Sequence, residues 1–422
     1  MSRLIKFGFL LTALFLGAVV TVGAADDETY FDFLKATYNK HDKKLHGYLQ
    51  SELKVFLGQY PESDFAPEAS YLLARTYSDV NDDHESLAML LKTMYLYPNS
   101  EIHTAAVAEA HRIIAANSAY KDRVAELNQI VDGNFEGGEA ADRHYRYLSF
   151  LNRLDQKKLY DWMLEEYYDF TVHFKNDSRV EKIERWIAGV YAAKGDALAA
   201  VAGYQKYEKL FPVNKNLPYV IINRAEVLDS ELREYALAKS LLTQVIDNYP
   251  KTEFSSSALY ARAKIKTERF KDYSGAIADY RQLIADNPKD EKAVDALFQI
   301  ADIDVRRLKA YRAAIDVYNE VVEAYPGNPR GVEALKESAD LYGKLKDPYT
   351  SATQYARVAE LYPDHPEAAQ WLYYAGEVTM SRLKEYQQAK SYYEKVVAKY
   401  PGTEYAGKAQ QRIIQINKKT GY

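Results

Sequence analysis

An aromatic–proline pair, or a close equivalent, returns along this chain at a nearly fixed step. Its prolines are Pro61, Pro98, Pro212, Pro250, Pro288, Pro326, Pro363 and Pro401. From Pro212 onward the successive steps are 38, 38, 38, 37 and 38, and Pro61 to Pro98 is 37. The gap from Pro98 to Pro212 is 114, three steps of 38, so two marks without proline are expected at 136 and 174. The sequence there runs "NFEGGEAADR" and "HFKNDSRVEK", an aromatic residue followed by a helix-start pattern. Proline lacks the N–H and clashes with the preceding turn, so each mark ends one helix before the next begins. A chain that stops and restarts on a fixed step forms an array. Each unit buries its apolar face against its neighbours, because one helix pair cannot bury it alone.

Other positions keep the same step. Twelve residues before the mark stand Ala200, Ala238, Ala276, Ala314, Ser351 and Ala389, and eight before it Tyr204, Tyr280, Tyr318, Tyr355 and Tyr393. Thirteen after it stand Ala74, Ala225, Ala263, Ala301, Ala339 and Gly376, and fifteen before it Tyr235, Tyr273, Tyr311 and Tyr386. A small residue at one place per helix lets two backbones approach closely. The tyrosine four residues after a small position lies on the same helix face and fills the seam. Thr252, Asp290 and Asp364, just after their prolines, are expected to cap the following helices.

Each unit is therefore a helix pair with Tyr-Pro as the joint between pairs. The pattern resembles the tetratricopeptide repeat, with a small residue in the first helix, a small residue and an aromatic in the second, and a terminal proline. The usual period of that repeat is roughly 34, shorter than the step here. The longer unit, with its "YP-x-S/T-x-x-A-x-x-A" restart, resembles repeats of exported Gram-negative envelope proteins. The nearest are the Tol–Pal coordinator type and the β-barrel assembly lipoprotein type. The resemblance runs over 60–417 and is strongest over 213–401. It implies an all-α solenoid of about nine stacked pairs.

The boundaries that follow are a signal peptide at 1–24, an entering helix pair at 25–61, repeats at 62–136, degenerate repeats at 137–212, regular repeats at 213–401, and a capping helix with tail at 402–422. The stretch 132–175 departs furthest from the pattern. It holds Gly133, Gly137 and Gly138, then Tyr145, Tyr147, Tyr160, Trp162, Tyr167, Tyr168, Phe170 and Phe174. It is either a drifted repeat whose aromatics remain core or a hinge or docking groove.

Arg3, Lys6 and the apolar run "FGFLLTALFLGAVV" followed by "VGAADD" form an export signal, with cleavage expected after Ala24 or Ala25. The run falls short of the roughly 20 apolar residues of a bilayer span. No cysteine is present, which excludes disulfides, thiol nucleophiles and a lipidated cysteine. A soluble periplasmic protein, exported and not lipidated, is expected. A net charge of −5, from 55 basic and 60 acidic residues, argues against nucleic acid as the partner. The 38 tyrosines outnumber 15 phenylalanines and 3 tryptophans together, which suits helix seams and wet binding surfaces.

Catalytic chemistry leaves no motif. The eight histidines include no H-E-x-x-H and no pair at metal-ligand spacing. G-x-S-x-G, G-x-G-x-x-G and a complete G-x-x-x-x-G-K-[ST] are absent. "NDD" at 81–83 and "ADIDV" at 301–305 lack the glycine and closing glutamate of a calcium loop. Glu165 and Glu166 acquire meaning only beside a cleft with a second carboxylate. No cofactor or metal is expected, and the reading is of a protein that is not an enzyme.

Two function classes remain. One is a non-catalytic scaffold holding envelope proteins or an extended peptide segment; the other is a module whose tyrosines stack on a glycan such as peptidoglycan or an exported polysaccharide. For the first, the resemblance places the first helix of each pair on the concave side. Residues three before and one after the packed small position are then expected in the groove. These are Tyr71 and Arg75, Glu226, Tyr260 and Lys264, Phe298 and Asp302, Lys336 and Asp340, Tyr373 and Glu377. The competing expectation is that their aromatics complete helix-to-helix packing.

Overall fold

The computed structural model describes residues 26–133, 139–154 and 156–421, and every regular element among them is helical. The export segment, the mark expected at 136 and Gly137 and Gly138 lie outside the described residues. The chain divides into two compact units, one up to Lys194 and one from Gly195.

The first unit holds α1 (Asp27–Tyr38), α2 (His46–Gln59), α3 (Ala66–Asp79), α4 (Asp83–Leu96), α5 (Ile102–Ala116), α6 (Val124–Val131), α7 (Ala140–Leu154), α8 (Tyr160–His173) and α9 (Val180–Lys194). The second begins with α10 (Ala197–Leu210), α11 (Leu217–Ser230), α12 (Tyr235–Asn248), α13 (Glu253–Ile265), α14 (Tyr273–Asp286) and α15 (Lys292–Asp302). It continues with α16 (Tyr311–Ala324), α17 (Arg330–Lys344), α18 (Pro348–Leu361), α19 (Ala368–Val378), α20 (Tyr386–Lys399) and α21 (Glu404–Thr420). In the second unit each helix packs on the next in chain order, as stacked antiparallel pairs require.

The aromatic residue before each proline closes a helix in one conformation. Tyr249, Tyr325, Tyr362 and Tyr400 have φ between −132° and −125° and ψ between 53° and 60°, and each N–H reaches the carbonyl four residues back. Phe174 ends α8 in a similar conformation (φ −114°, ψ 39°), so the mark expected at 174 is a helix end without its proline. Thr252 caps α13 through a reciprocal pair of bonds with Ser255, and the Asp290 side chain accepts from Lys292 N–H at 2.9 Å. Asp364 does not cap a helix. The chain makes a full turn before α19 starts, and the Glu367 N–H goes to His365 Nδ1 at 3.2 Å instead.

A second joint, between the two helices of a pair, has no proline and is marked by positive φ. Asn81, Gly195, Arg233, Lys271, Lys309, Lys346 and Lys384 all take the left-handed conformation, φ between 56° and 82°. The spacing from each of them to the next mark, as from Asn81 to Pro98 or Lys346 to Pro363, is constant. The second helices of the second unit are accordingly all 14 residues long. Variation sits in the first helix. The intervals from Pro61 to Asn81 and from Pro326 to Lys346 are equal. Those from Pro212 to Arg233, Pro250 to Lys271, Pro288 to Lys309 and Pro363 to Lys384 are each longer by a single position. In three of those four the first helix ends in a π turn, at Lys266–Phe270, Ile303–Leu308 and Thr379–Leu383. A π turn absorbs an extra residue without breaking the helix, which explains why the step alternates between 37 and 38.

The small positions are the closest approaches. Ala74, Ala225, Ala263, Ala301 and Ala339 are fully buried, as are Ala200, Ala238, Ala276, Ala314 and Ala389. At Gly376 a Cβ would stand 2.6 Å from Tyr393 Cε1, so only glycine fits against that seam tyrosine. The seam tyrosines Tyr204, Tyr280, Tyr318, Tyr355 and Tyr393 are all buried.

The first unit breaks nearest-neighbour stacking. α5 packs on α4, but α7 also packs on α4, and the Lys157–Leu159 turn before α8 touches α4 as well. Of the aromatic cluster here, Tyr147, Tyr160, Tyr167 and Phe170 are core. Trp162 is half-buried, with its ring 6.4 Å from that of Tyr77 on α3.

Candidate functional site

The first helices of the second unit (α11, α13, α15, α17 and α19) carry most of the expected site, and the structure divides it in two. The residue three before the small position faces the seam. Tyr260 lies edge-on to Tyr280 at 5.3 Å, Phe298 edge-on to Tyr318 at 5.5 Å, and Tyr373 sits 5.4 Å from Tyr393. Phe298 and Tyr373 are buried, 8% exposed, and so are not groove residues as expected. Each ring fills the space that the small residue opens between two helices. Arg330 covers the other face of Phe298, 3.6 Å from the ring centre. Tyr260 is half-buried, as is Tyr71 on α3.

The position one after the small residue is polar throughout. Arg75, Glu226, Lys264, Asp302, Asp340 and Glu377 all stand there, at one fixed interval after their prolines. Arg75, Glu226 and Lys264 are exposed; Asp302, Asp340 and Glu377 are half-buried. Several also satisfy seam hydroxyls. Tyr355 donates to Asp340, and Tyr393 to Glu377 at 2.6 Å. Glu377 further accepts from Arg412 on α21 through Nε at 2.7 Å and Nη2 at 2.9 Å. Lys336, in the place of the aromatics, pairs with Glu337 at 2.7 Å and Asp340 at 3.0 Å. Burial would lower its pKa, but Glu337 and Asp340 outweigh burial and hold the ammonium above its ordinary range. Asp302 is held by Arg306 at 2.5 Å, and the Arg75 guanidinium lies 5.6 Å over the Tyr38 ring. Glu226 and Lys264, on packed helices α11 and α13, are close enough to interact. In the second unit the result is a charged row beside a packed row.

The sequence reading missed a cleft in the first unit. Because α7 packs on α4, the following helix α8 comes to face α3 and α4. Between α2, α3, α4 and α8 lies a cleft of about 730 Å³. Leu57, Leu73, Met89 and Leu96 give it apolar walls, and Trp162 stands on its α8 side. The Trp162 Nε1–H donates to the Tyr147 hydroxyl at 2.8 Å, which fixes the indole. Glu165 and Glu166 both line this cleft, so the acid pair that meant little in sequence has a specific setting.

Glu166 is 5% exposed. Lys92 of α4 donates to it at 2.5 Å, and His144 Nε2 of α7 lies 3.7 Å from its other oxygen. His144 is in turn stacked on Tyr95 at 4.7 Å and edge-on to Phe170 at 5.4 Å. Burial alone would push the Glu166 carboxyl up, yet His144 and Lys92 outweigh it and hold the pKa below the usual range. An ionised, engaged carboxylate of this kind locks three helices together. Among the described residues no three His, Asp or Glu side chains converge as metal ligands, and no helix is long and apolar enough to cross a membrane. What both surfaces can do is hold a partner by charge and by aromatic contact.

Residues 220–252 match a family described as tetratricopeptide repeat. That span takes in α11, α12 and the Tyr249–Pro250 joint. The α11–α12 pair is a tetratricopeptide repeat. Residues 290–421 match a family described as outer membrane lipoprotein, YfiO, which takes in the tetratricopeptide pairs from α15 to α20 and the closing α21. No curated protein matches the chain. Similar solved structures include a tetratricopeptide repeat protein from Parabacteroides merdae, 15% identical, covering 71% of this chain and 100% of that one with a TM-score of 0.34. PilF of Pseudomonas aeruginosa is 16% identical over 55% of this chain and 98% of that one, TM-score 0.36. YrrB, described as a TPR protein with an unusual peptide-binding site, is 19% identical over 48% of this chain and 96% of that one, TM-score 0.30. The tetratricopeptide repeats here exceed the roughly 34-residue unit, and part of the excess is the π turn that closes α13, α15 and α19.

Proposed function

We propose that this protein is a non-catalytic periplasmic scaffold that holds polypeptide partners along the first-helix face of its tetratricopeptide repeats, in assembly or maintenance of the cell envelope. The carrying observation is the charged row Glu226, Lys264, Asp302, Asp340 and Glu377 of the second unit, with Arg75 at the same repeat position in the first. Asp340 and Glu377 also serve seam hydroxyls, but Arg75, Glu226 and Lys264 are exposed, and none of the six is apolar. A polar row that recurs once per pair from α11 to α19, beside aromatic rings, suits an extended polypeptide, which offers backbone and side-chain contacts at regular intervals. Tyr71, Tyr260 and Lys336 flank that row and complete the face; Phe298 and Tyr373 support it from beneath. The family match over 290–421 supports the envelope setting, and the N-terminal Arg3–Ala25 pattern supports export.

The test uses the purified protein as bait in envelope extract from its native organism. The Glu226→Lys, Lys264→Glu double variant should fold as the wild type does and lose the captured polypeptide. Unchanged capture removes the first-helix face from the account. Co-sedimentation with insoluble peptidoglycan, unaffected by that variant, would favour the glycan reading, for which the exposed Tyr374 ring 5.5 Å from Trp371 is the natural stacking surface.

A further inference from the structure

We infer that the cleft between α2, α3, α4 and α8 is a separate site that takes an arginine side chain, with its apolar neighbours, from a bound polypeptide. The inference rests on the scaffold reading for the kind of partner, but not on the first-helix face. Three observations carry it. The cleft is concave, about 730 Å³, which is large enough for a side chain and part of its flanking residues. Its charges do not balance: Glu62, Glu165 and Glu166 stand against Lys54 and Lys92. Most of these charges are already engaged. Lys92 is bound to Glu166 at 2.5 Å, and the Lys54 ammonium lies 5.8 Å over the Tyr77 ring. Glu62 and Glu165 are exposed on the rim and have no hydrogen-bond or ion-pair partner among the described residues.

A fixed indole, two unmatched carboxylates and an apolar wall specify the chemistry of the occupant. Guanidinium stacks on an aromatic face and forks to carboxylates, while its three-carbon stem rests on apolar surface. Leu57 and Leu96 then accept the residues on either side of the arginine. An anionic segment would meet a net negative rim, and a purely apolar one would leave both carboxylates desolvated without a partner.

The site arises from the break in stacking. In an unbroken array α8 would pack only on its sequence neighbours, and Trp162 and Glu165 would never reach the α3–α4 pair.

The experiment is fluorescence anisotropy with the full mature chain and fluorescein-labelled, amidated pentapeptides. The probes are Leu-Arg-Leu-Arg-Leu, the same peptide with citrulline for arginine, and the same with glutamate for arginine. Two variants are compared with the wild type: Glu62→Gln with Glu165→Gln in the cleft, and Glu226→Lys with Lys264→Glu on the first-helix face. The arginine peptide should bind the wild type and the first-helix variant alike, and bind the cleft variant about tenfold more weakly, as two rim charges of modest individual strength would give. The citrulline peptide should bind the wild type no better than the arginine peptide binds the cleft variant. Equal binding of arginine and citrulline peptides, stronger binding of the glutamate peptide, or no loss in the cleft variant overturns the site. If the first-helix variant alone loses the arginine peptide, the scaffold face stands and the cleft falls.

Discussion

Replacing Lys92 with methionine removes the cation from a carboxylate that stays buried. Met keeps the length and most of the apolar stem of Lys, so the change isolates the charge. The Glu166 side chain is 7% exposed and that of Lys92 30%. Leaving a fully buried charge unpaired costs about 3–5 kcal/mol. Here the ammonium end is partly wetted, and His144 remains 3.7 Å away as a second partner. The expected loss is therefore about 2–3 kcal/mol at neutral pH. The pH dependence carries the sharper test. In the wild type Glu166 has a lowered pKa, so its contribution is present above the ordinary carboxylate range and is lost as pH falls through the folded value. In the variant only His144 is left to offset burial, so the folded pKa rises relative to the wild type. Its destabilisation then appears only at pH values above the ordinary pKa and disappears when Glu166 is protonated in both states. The difference between the two proteins should be widest near pH 7 and shrink below about pH 4.5. Urea unfolding followed by tryptophan fluorescence measures it in a Trp371→Phe background, where Trp162 and Trp186 report the first unit alone. A loss that is the same at both pH values, or no loss, would refute the locked ion pair. A Lys92→Met, Glu166→Gln double variant should recover part of the stability, since the uncompensated charge is gone.

Further outcomes follow from the second unit. Gly376→Ala brings a Cβ to 2.6 Å from the Tyr393 ring and should cost about 1–3 kcal/mol in urea unfolding followed by far-UV circular dichroism. Ala276→Leu, at a fully buried seam position, should cost a similar amount; unchanged midpoints would argue against close helix contact. Lys309→Gly relieves a left-handed residue at φ 56° and should raise stability by about 0.5 kcal/mol, part of the gain being returned as unfolded-state entropy. Phe298→Ala should lower stability by about 3 kcal/mol because the ring is seam packing; a variant as stable as the wild type that merely loses its partner would show the ring to be a contact residue after all.

The repeat and its packing were legible in the sequence because proline and small residues act locally. Pro250 ends a helix whatever surrounds it, and Ala263 or Ala276 marks a close approach wherever two helices must meet. The joint inside each pair was not legible. Lys271, Lys309 and Lys346 occupy a left-handed position where glycine would announce itself, and lysine gives no such signal. Their constant spacing to the next mark was available to be counted, but only once the conformation was known. Phe298 and Tyr373 were misplaced for a related reason. A residue three before the small position points either into the seam or away from it according to how far the next helix overhangs, and that overhang depends on Tyr318 and Tyr393. The cleft was out of reach of periodicity altogether. It depends on α7 packing against α4, which brings α8 across so that Lys92 meets Glu166 from a distant part of the chain, a pairing that appears in no repeat.

Site-specific photo-crosslinking in the native organism tests the central claim most directly. Benzoylphenylalanine replaces Lys264 on the first-helix face of one strain and Asp247, exposed on the second helix α12, in another. The account predicts a discrete polypeptide adduct from position 264 and none from position 247. Equal adducts from both positions, or an adduct from 247 alone, would contradict it.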